Sequence, residues 1–181
     1  PRHGKSQLIS RMFPPWLVGR DPYRHVMFAT YNQPFAEDFG RTVRDIMRSP
    51  AYAQVYPYCR LAEGSQAAEM LRSVEGGQLS FVGRGGSATG RGADYLILDD
   101  PIKDKAEAES PTIRDAWWDW FNATMSSRLM THDGAIIIVM TRWHEDDLVG
   151  RLTDPANKHY NADEAAQWKI VHIPAIAGDD D

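Results

Sequence analysis

Three short groups of residues carry the side chains that phosphate chemistry requires. The first is Gly4-Lys5-Ser6, preceded by Arg2 and His3. A glycine lets backbone N–H groups approach an anion closely, a lysine reaches the outer phosphates of a nucleoside triphosphate, and a hydroxyl sits on the Mg²⁺ that accompanies them. The three residues form the tail of the Gly-x-x-x-x-Gly-Lys-[Ser/Thr] pattern (Walker A), and a helix expected over residues 5–12 would add a favourable dipole. An ordinary helix start reads the same way. Arg2 is placed either to contact an outer phosphate within its own chain or to face solvent. The second group is Asp99-Asp100, which closes the apolar run 95–98 (YLIL). There, one carboxylate suits the cation's hydration shell and the next suits orienting or deprotonating an attacking water. Two adjacent acids at the end of a buried strand are costly without compensating cations; a solvated turn before Pro101 is the alternative, and taken with Gly4-Lys5-Ser6 the functional reading is favoured. The third is Thr141, at the tip of the run 135–140 (AIIIVM), where a hydroxyl can sense a phosphate and pass its state to the next helix.

Other residues bear weaker signals. Arg84 and Arg91 lie in the glycine-rich stretch 83–92, and Arg128 lies near a loop; such arginines suit phosphate groups of a nucleotide or of DNA. Arg91, a few residues before Asp99, is the better candidate, and Arg84 reads equally well as solvated surface. His144, Glu145, Asp146 and Asp147 resemble a metal-ligand set, but acids in the first turn of a helix are routine. Trp117, Trp118, Trp120 and Phe121 have a composition that stacks on bases, yet their helical spacing favours a core or interface role.

These residues need a scaffold. Residues 25–30 (HVMFAT), 95–98 and 135–140 are continuous apolar runs, the pattern of parallel strands covered on both faces, and 168–173 (WKIVHI) is expected as a fourth. Helical patterns fall over 5–12, 34–48, 112–128 and 145–152. In the second, Phe35, Phe39, Val43, Ile46 and Met47 line one amphipathic face. Residues 73–92 read as a hairpin, with a strand near 79–82, followed by a basic loop. Strand–helix alternation of this kind means an α/β fold with a mostly parallel sheet.

Composition agrees and excludes other classes. The 181 residues are 43% hydrophobic and 25% charged, ordinary for one globular domain and against disorder. The 20 Lys+Arg against 25 Asp+Glu leave −5, so no overall basic field advertises nucleic acid; a local track would have to supply it. The single Cys59 excludes a disulfide framework and fits a reducing compartment. No apolar run approaches the roughly 20 residues of a membrane span, and no membrane partner is expected.

In order along the chain, PRHGKS, GRGADYLILDDPIKD, WWDWF with SSRL, IIIVMTRWHEDDLVGRL and WKIVHIPAIA resemble the ATPase half of the large terminase subunits of tailed bacteriophages and prophages. The resemblance covers nearly the whole chain. It implies a three-layer α/β/α P-loop NTPase of the ASCE, RecA/helicase-like type, hydrolysing ATP with Mg²⁺ to drive double-stranded DNA into procapsids. Gly4, Lys5 and Ser6 then match the Walker A nucleotide site, with Ser6 also on Mg²⁺. Asp99 matches the Walker B magnesium aspartate. Asp100 stands where many members have a catalytic glutamate and is shorter by one methylene. Arg2 falls near a cis-acting loop arginine, Arg91 is carried as a nucleotide-site residue, and Thr141 falls in a coupling motif. Implied partners are DNA, a portal protein, a small terminase subunit and further copies in a ring on the portal, in the bacterial host cytoplasm.

The same resemblance implies a strand feeding the phosphate loop upstream of Pro1. Without it a central strand would be missing, and marginal stability and poor activity are expected. Residues 1–177 correspond to a partial ATPase domain and 178–181 to the start of a linker toward a nuclease domain that this stretch does not encode. Two other readings stand beside it: a superfamily 2 helicase or translocase domain, and a non-catalytic prophage remnant.

Overall fold

A computed structural model describes residues 4–64, 67–86, 92–131 and 133–171. Five strands form one sheet in the order β2-β3-β1-β4-β5. These are β1 (His25–Thr30), β2 (Met70–Arg72), β3 (Gln78–Gly83), β4 (Tyr95–Asp99) and β5 (Ala135–Val139). β1 runs parallel to β3 and β4, and β4 is parallel to β5. The short β2 is antiparallel to β3, a hairpin whose first strand lies just before the stretch 73–92 where one was expected. β5 hydrogen-bonds directly to β4, with Asp99 opposite Val139, so no strand stands between them.

The strand alternation divides the apolar residues between two faces. On one face, Val26, Phe28, Leu79, Phe81 and Ile97 pack under α1 (Phe13–Arg20), α2 (Gln33–Met47) and α3 (Pro50–Val55). On the other, Met27, Ala29, Val82, Leu96 and Leu98 meet residues of α4 (Lys105–Glu109), α5 (Pro111–Trp120) and α6 (Leu148–Thr153). A further short helix, α7 (Ala162–Ala165), follows. The continuous apolar strands are thus explained by cover on both sides. Among the described residues no helix is long and apolar enough to cross a membrane.

Phe28 is 1% exposed, with its ring centroid 4.6 Å from Phe39 and 5.8 Å from Phe81. Truncation there leaves a cavity between sheet and α2. Phe28→Ala is therefore expected to cost about 3–5 kcal/mol, read as a lowered denaturant midpoint. Gly40 lets α2 approach the segment that precedes β2: a Cβ there would stand 1.8 Å from the Ala68 carbonyl oxygen.

Several boundaries differ from the sequence expectation. The first helix does not stop at Met12. A π-helical segment, Gln7–Met12, runs into α1, whose first positions hold Pro14 and Pro15. The helix is continuous there, with the Phe13 N–H donating to the Leu8 carbonyl, and the two prolines, which have no N–H to donate, fall where the bonding changes from π-helical to α-helical. The helix expected over 112–128 is three pieces: α5, a π-helical Phe121–Met125 and a 3₁₀ turn Ser126–Arg128. α6 begins at Leu148, because Asp147 serves as its N-cap and accepts from the Gly150 N–H at 2.9 Å. The strand expected at 168–173 is not seen in residues 168–171, which are irregular, with Ile170 and Val171 68% and 70% exposed. Only Trp168 is drawn in, against Phe121, and β-propensity without a ladder partner makes no strand. Residues 172 and 173 lie outside the described residues.

Candidate functional site

The parallel strands end nearly in step. Thr30 pairs with Gly83, Ala29 with Leu98, and Asp99 with Val139, so Gly83, Thr30, Asp99 and Val139 form one row across the sheet. Asp100 and Thr141 follow immediately. In α/β folds, ligands bind outside this carboxyl edge, because the strands end there and the chain turns away.

The segment 4–12 lies over the same edge. Gly4 has φ +81°, and its carbonyl accepts from the Leu8 N–H at 2.9 Å, closing the first helical turn. Lys5 reaches across to the end of β5, where Nζ donates to the Met140 carbonyl at 3.1 Å and to Thr141 Oγ1 at 3.4 Å. Ser10 Oγ donates to Asp99 Oδ2 at 2.6 Å, and the Ser6 side chain lies near enough to this carboxylate to lower its pKa. Five residues singled out in the sequence, Lys5, Ser6, Asp99, Asp100 and Thr141, are therefore brought to one edge, although 89 positions separate Ser10 from Asp99 and 136 separate Lys5 from Thr141.

Asp99 is 1% exposed, and burial pushes its pKa up; the hydroxyls of Ser10 and Ser6 and the charge of Lys5 pull it down, while Asp100 pushes it further up. Its Oδ1 is buried with no hydrogen-bond partner. A carboxylate oxygen left free beside two serine hydroxyls is an all-oxygen donor set, which fits a hard divalent cation. Asp100 adopts φ +42°, the left-handed region that aspartate enters more readily than most residues, while its N–H donates to the Val139 carbonyl at 2.9 Å. The strand alternation is thereby broken at the second carboxylate.

Retaining an under-paired buried carboxylate costs stability. Asp99's raised pKa means that the cation-free fold loses stability as pH rises from the ordinary aspartate value through the folded one. Asp99→Asn is accordingly expected to stabilise the protein near pH 7 by on the order of 1 kcal/mol, seen as a higher Tm. A fall in Tm would show that the charge supports the fold.

Beyond Thr141 the chain is tied to α6. The Arg142 guanidinium grips the Asp147 carboxylate and donates to the Glu145 carbonyl at 3.2 Å. Asp146 accepts from Arg151 Nε at 2.9 Å, Arg114 Nε at 3.1 Å and Asn157 Nδ2 at 3.0 Å, while Arg151 also donates to Asp115 at 2.7 Å. His144 Nδ1 accepts from the Asp146 N–H at 2.9 Å. Two of the three acids that suggested a metal site are committed to arginines, and among the described residues no cluster of three or more His, Cys, Asp or Glu could hold an ion. Sequence reasoning missed Arg114, Arg151, Asp115 and Asn157. The available signal was an arginine between Leu148 and Leu152 in an apolar stretch of α6.

Arg84 is not on an open loop. Its N–H donates to the Thr30 carbonyl at 2.9 Å, and its guanidinium lies 5.8 Å from the centre of the Trp117 ring. Trp117 itself is 1% exposed and meets Trp120 edge-on at 5.4 Å, while Trp118 leans on His159 at 5.0 Å; Trp117 and Phe121 are core, and Trp118 and Trp120 pack half-buried against it. Arg128 holds the entry to β4 through its carbonyl, which accepts from the Ala93 N–H at 2.8 Å. Arg2 and Arg91 lie outside the described residues.

The whole chain, residues 1–181, matches a family model described as "Terminase large subunit, T4likevirus-type, N-terminal". Among solved structures it is similar to one titled "Crystal structure of the HK97 bacteriophage large terminase", with 14% identity and a TM-score of 0.58. The match covers 88% of this chain and 32% of that one, so the chain spans about a third of that protein's length. Among curated protein sequences none matches significantly.

Proposed function

The chain belongs to the large terminase subunit family, as part of its N-terminal region, and on that premise we propose that it is a P-loop ATPase motor domain that drives double-stranded DNA into procapsids. The observation that carries this reading is the convergence of Lys5, Ser6, Asp99, Asp100 and Thr141 on the carboxyl edge of a mostly parallel sheet.

Lys5 neutralises phosphate charge at the outer end of ATP, giving up its contacts with β5 to do so. Ser6 and Asp99 hold Mg²⁺, which when bound spreads positive charge over the phosphate oxygens. Asp100 orients the attacking water and accepts its proton. Arg2 stabilises charge that develops on the departing phosphates, and Arg91 contributes to the nucleotide site. Thr141, touched by Lys5 and followed by the Arg142–Asp147 link, couples the phosphate site to α6. The partners in this reading are DNA, a portal protein, a small terminase subunit and further copies arranged in a ring, and the place is the host cytoplasm at the procapsid portal. Family membership sets aside the helicase reading.

The test is Mg²⁺-dependent ATP hydrolysis by the protein, with and without double-stranded DNA, beside a Lys5→Ala control. Turnover confined to the unsubstituted protein and raised by DNA supports a translocating motor. A folded protein without turnover, on its own and with portal, overturns the reading in favour of a non-catalytic remnant.

A further inference from the structure

One step beyond the Ala29–Leu98 pair, Thr30 and Asp99 end adjoining parallel strands and point to the same face of the sheet. Strands at this spacing place such side chains about 5 Å apart. Thr30 is 0% exposed and Asp99 is 1% exposed. Thr30 Oγ1 and Asp99 Oδ1 are both buried atoms without a hydrogen-bond partner. Ser10, on the segment that also carries Lys5 and Ser6, holds the other oxygen of Asp99, which fixes the carboxylate in its present orientation.

Threonine at the end of a strand needs no hydroxyl for its packing, since valine has the same shape. A buried hydroxyl left unpaired costs about 1–3 kcal/mol, and a carboxylate oxygen costs more. Two such atoms on neighbouring strands, at the edge where the phosphate-handling residues meet, are matched to a ligand that donates two hydrogen bonds at once. A water in the hydration shell of a divalent cation is such a donor, because its lone pair is committed to the metal and both of its protons are free. Hydroxyl and carboxylate oxygens are both acceptors for it.

We propose that Thr30 is a positioning residue of the cation site: with Asp99 Oδ1 it holds a water of the divalent ion's hydration shell and so aligns that ion. This rests on the reading of Asp99 as the cation-holding carboxylate. It adds a residue from β1, a strand that carries none of the residues singled out in the sequence.

The test is Mn²⁺ affinity, measured by electron paramagnetic resonance of the free ion, in the protein and in Thr30→Val, Thr30→Ser and Asp99→Asn variants, with Tm recorded for each. Thr30→Val should weaken Mn²⁺ binding about tenfold while Tm holds or rises, and Thr30→Ser should restore it. Unchanged Mn²⁺ affinity in Thr30→Val, with binding lost in Asp99→Asn, would overturn this inference and leave the cation reading of Asp99 standing. Unchanged affinity in both would remove that reading as well. A loss in Thr30→Ser as large as that in Thr30→Val would show that the hydroxyl alone does not carry the effect and would also overturn the proposal.

Discussion

On the proposed ATPase reading, replacing Lys5 with alanine is expected to leave the protein folded and to reduce ATP turnover to the uncatalysed background. Lys5 Nζ spends two hydrogen bonds on the end of β5, to Met140 and Thr141, at a partly buried position that no apolar core residue depends on. Their loss should cost about 1 kcal/mol of stability. Catalysis is another matter. Phosphoryl transfer asks little covalent chemistry of the protein and depends on charge placed in advance where the phosphate oxygens bear it. Removing the ammonium withdraws the only described cation in direct contact with Thr141 at the sheet edge. Arginine is not a substitute, since its planar fork cannot occupy the position of a compact ammonium between a carbonyl and a hydroxyl. Steady-state phosphate release with matched thermal melts checks both halves of the expectation. Near-normal turnover in Lys5→Ala would refute the site assignment.

The second large effect concerns Asp146. Its carboxyl is held well below the usual range, chiefly by hydrogen bonds from Arg151; partial burial opposes this, and Asn157 and Arg114 add to it. A depressed carboxylate pKa contributes stability that is fully present above the ordinary value near 4 and is lost as pH falls through the folded value. Acid should therefore unfold this corner first. Asp146→Asn removes the charge and one of the two acceptor oxygens shared by two arginines, one of which, Arg151, is only 2% exposed. Breaking a buried pair costs about 3–5 kcal/mol. The low end applies here, because Asp146 is itself 25% exposed and Asp115 remains for Arg151. Urea unfolding at pH 7 and at about pH 2.5, inside the window where this contribution is being lost, tests this. The variant should lose stability at pH 7 and show a flatter pH dependence in acid. A loss equal at both pH values would mean that packing, not charge, is at stake.

Much of the fold was legible in the chain. The runs at 25–30, 95–98 and 135–140 became β1, β4 and β5, because a stretch apolar at every position must be covered on both faces, and only a sheet between helices provides that. α2 was legible from its amphipathic repeat and gained a clear start from Asn32, whose side chain accepts from the Phe35 N–H at 2.9 Å. The run at 168–171 misled, because residue type records preference for a strand but not whether an edge is available to pair with.

The chemistry divides along the same line. Residue types and order alone determined which side chains could handle phosphate and a cation, since glycine, lysine, serine and adjacent aspartates have those capacities wherever they stand. Tertiary structure decided which of them meet. It carried Lys5 to Thr141 and Ser10 to Asp99, pinned Arg84 over Trp117, and turned Asp146 and Asp147 from possible metal ligands into partners of arginines. Those outcomes depend on strand order and register, and so on contacts between residues far apart in the chain. No local pattern encodes them, because each is selected by the packing of whole elements and only then fixed by a hydrogen bond.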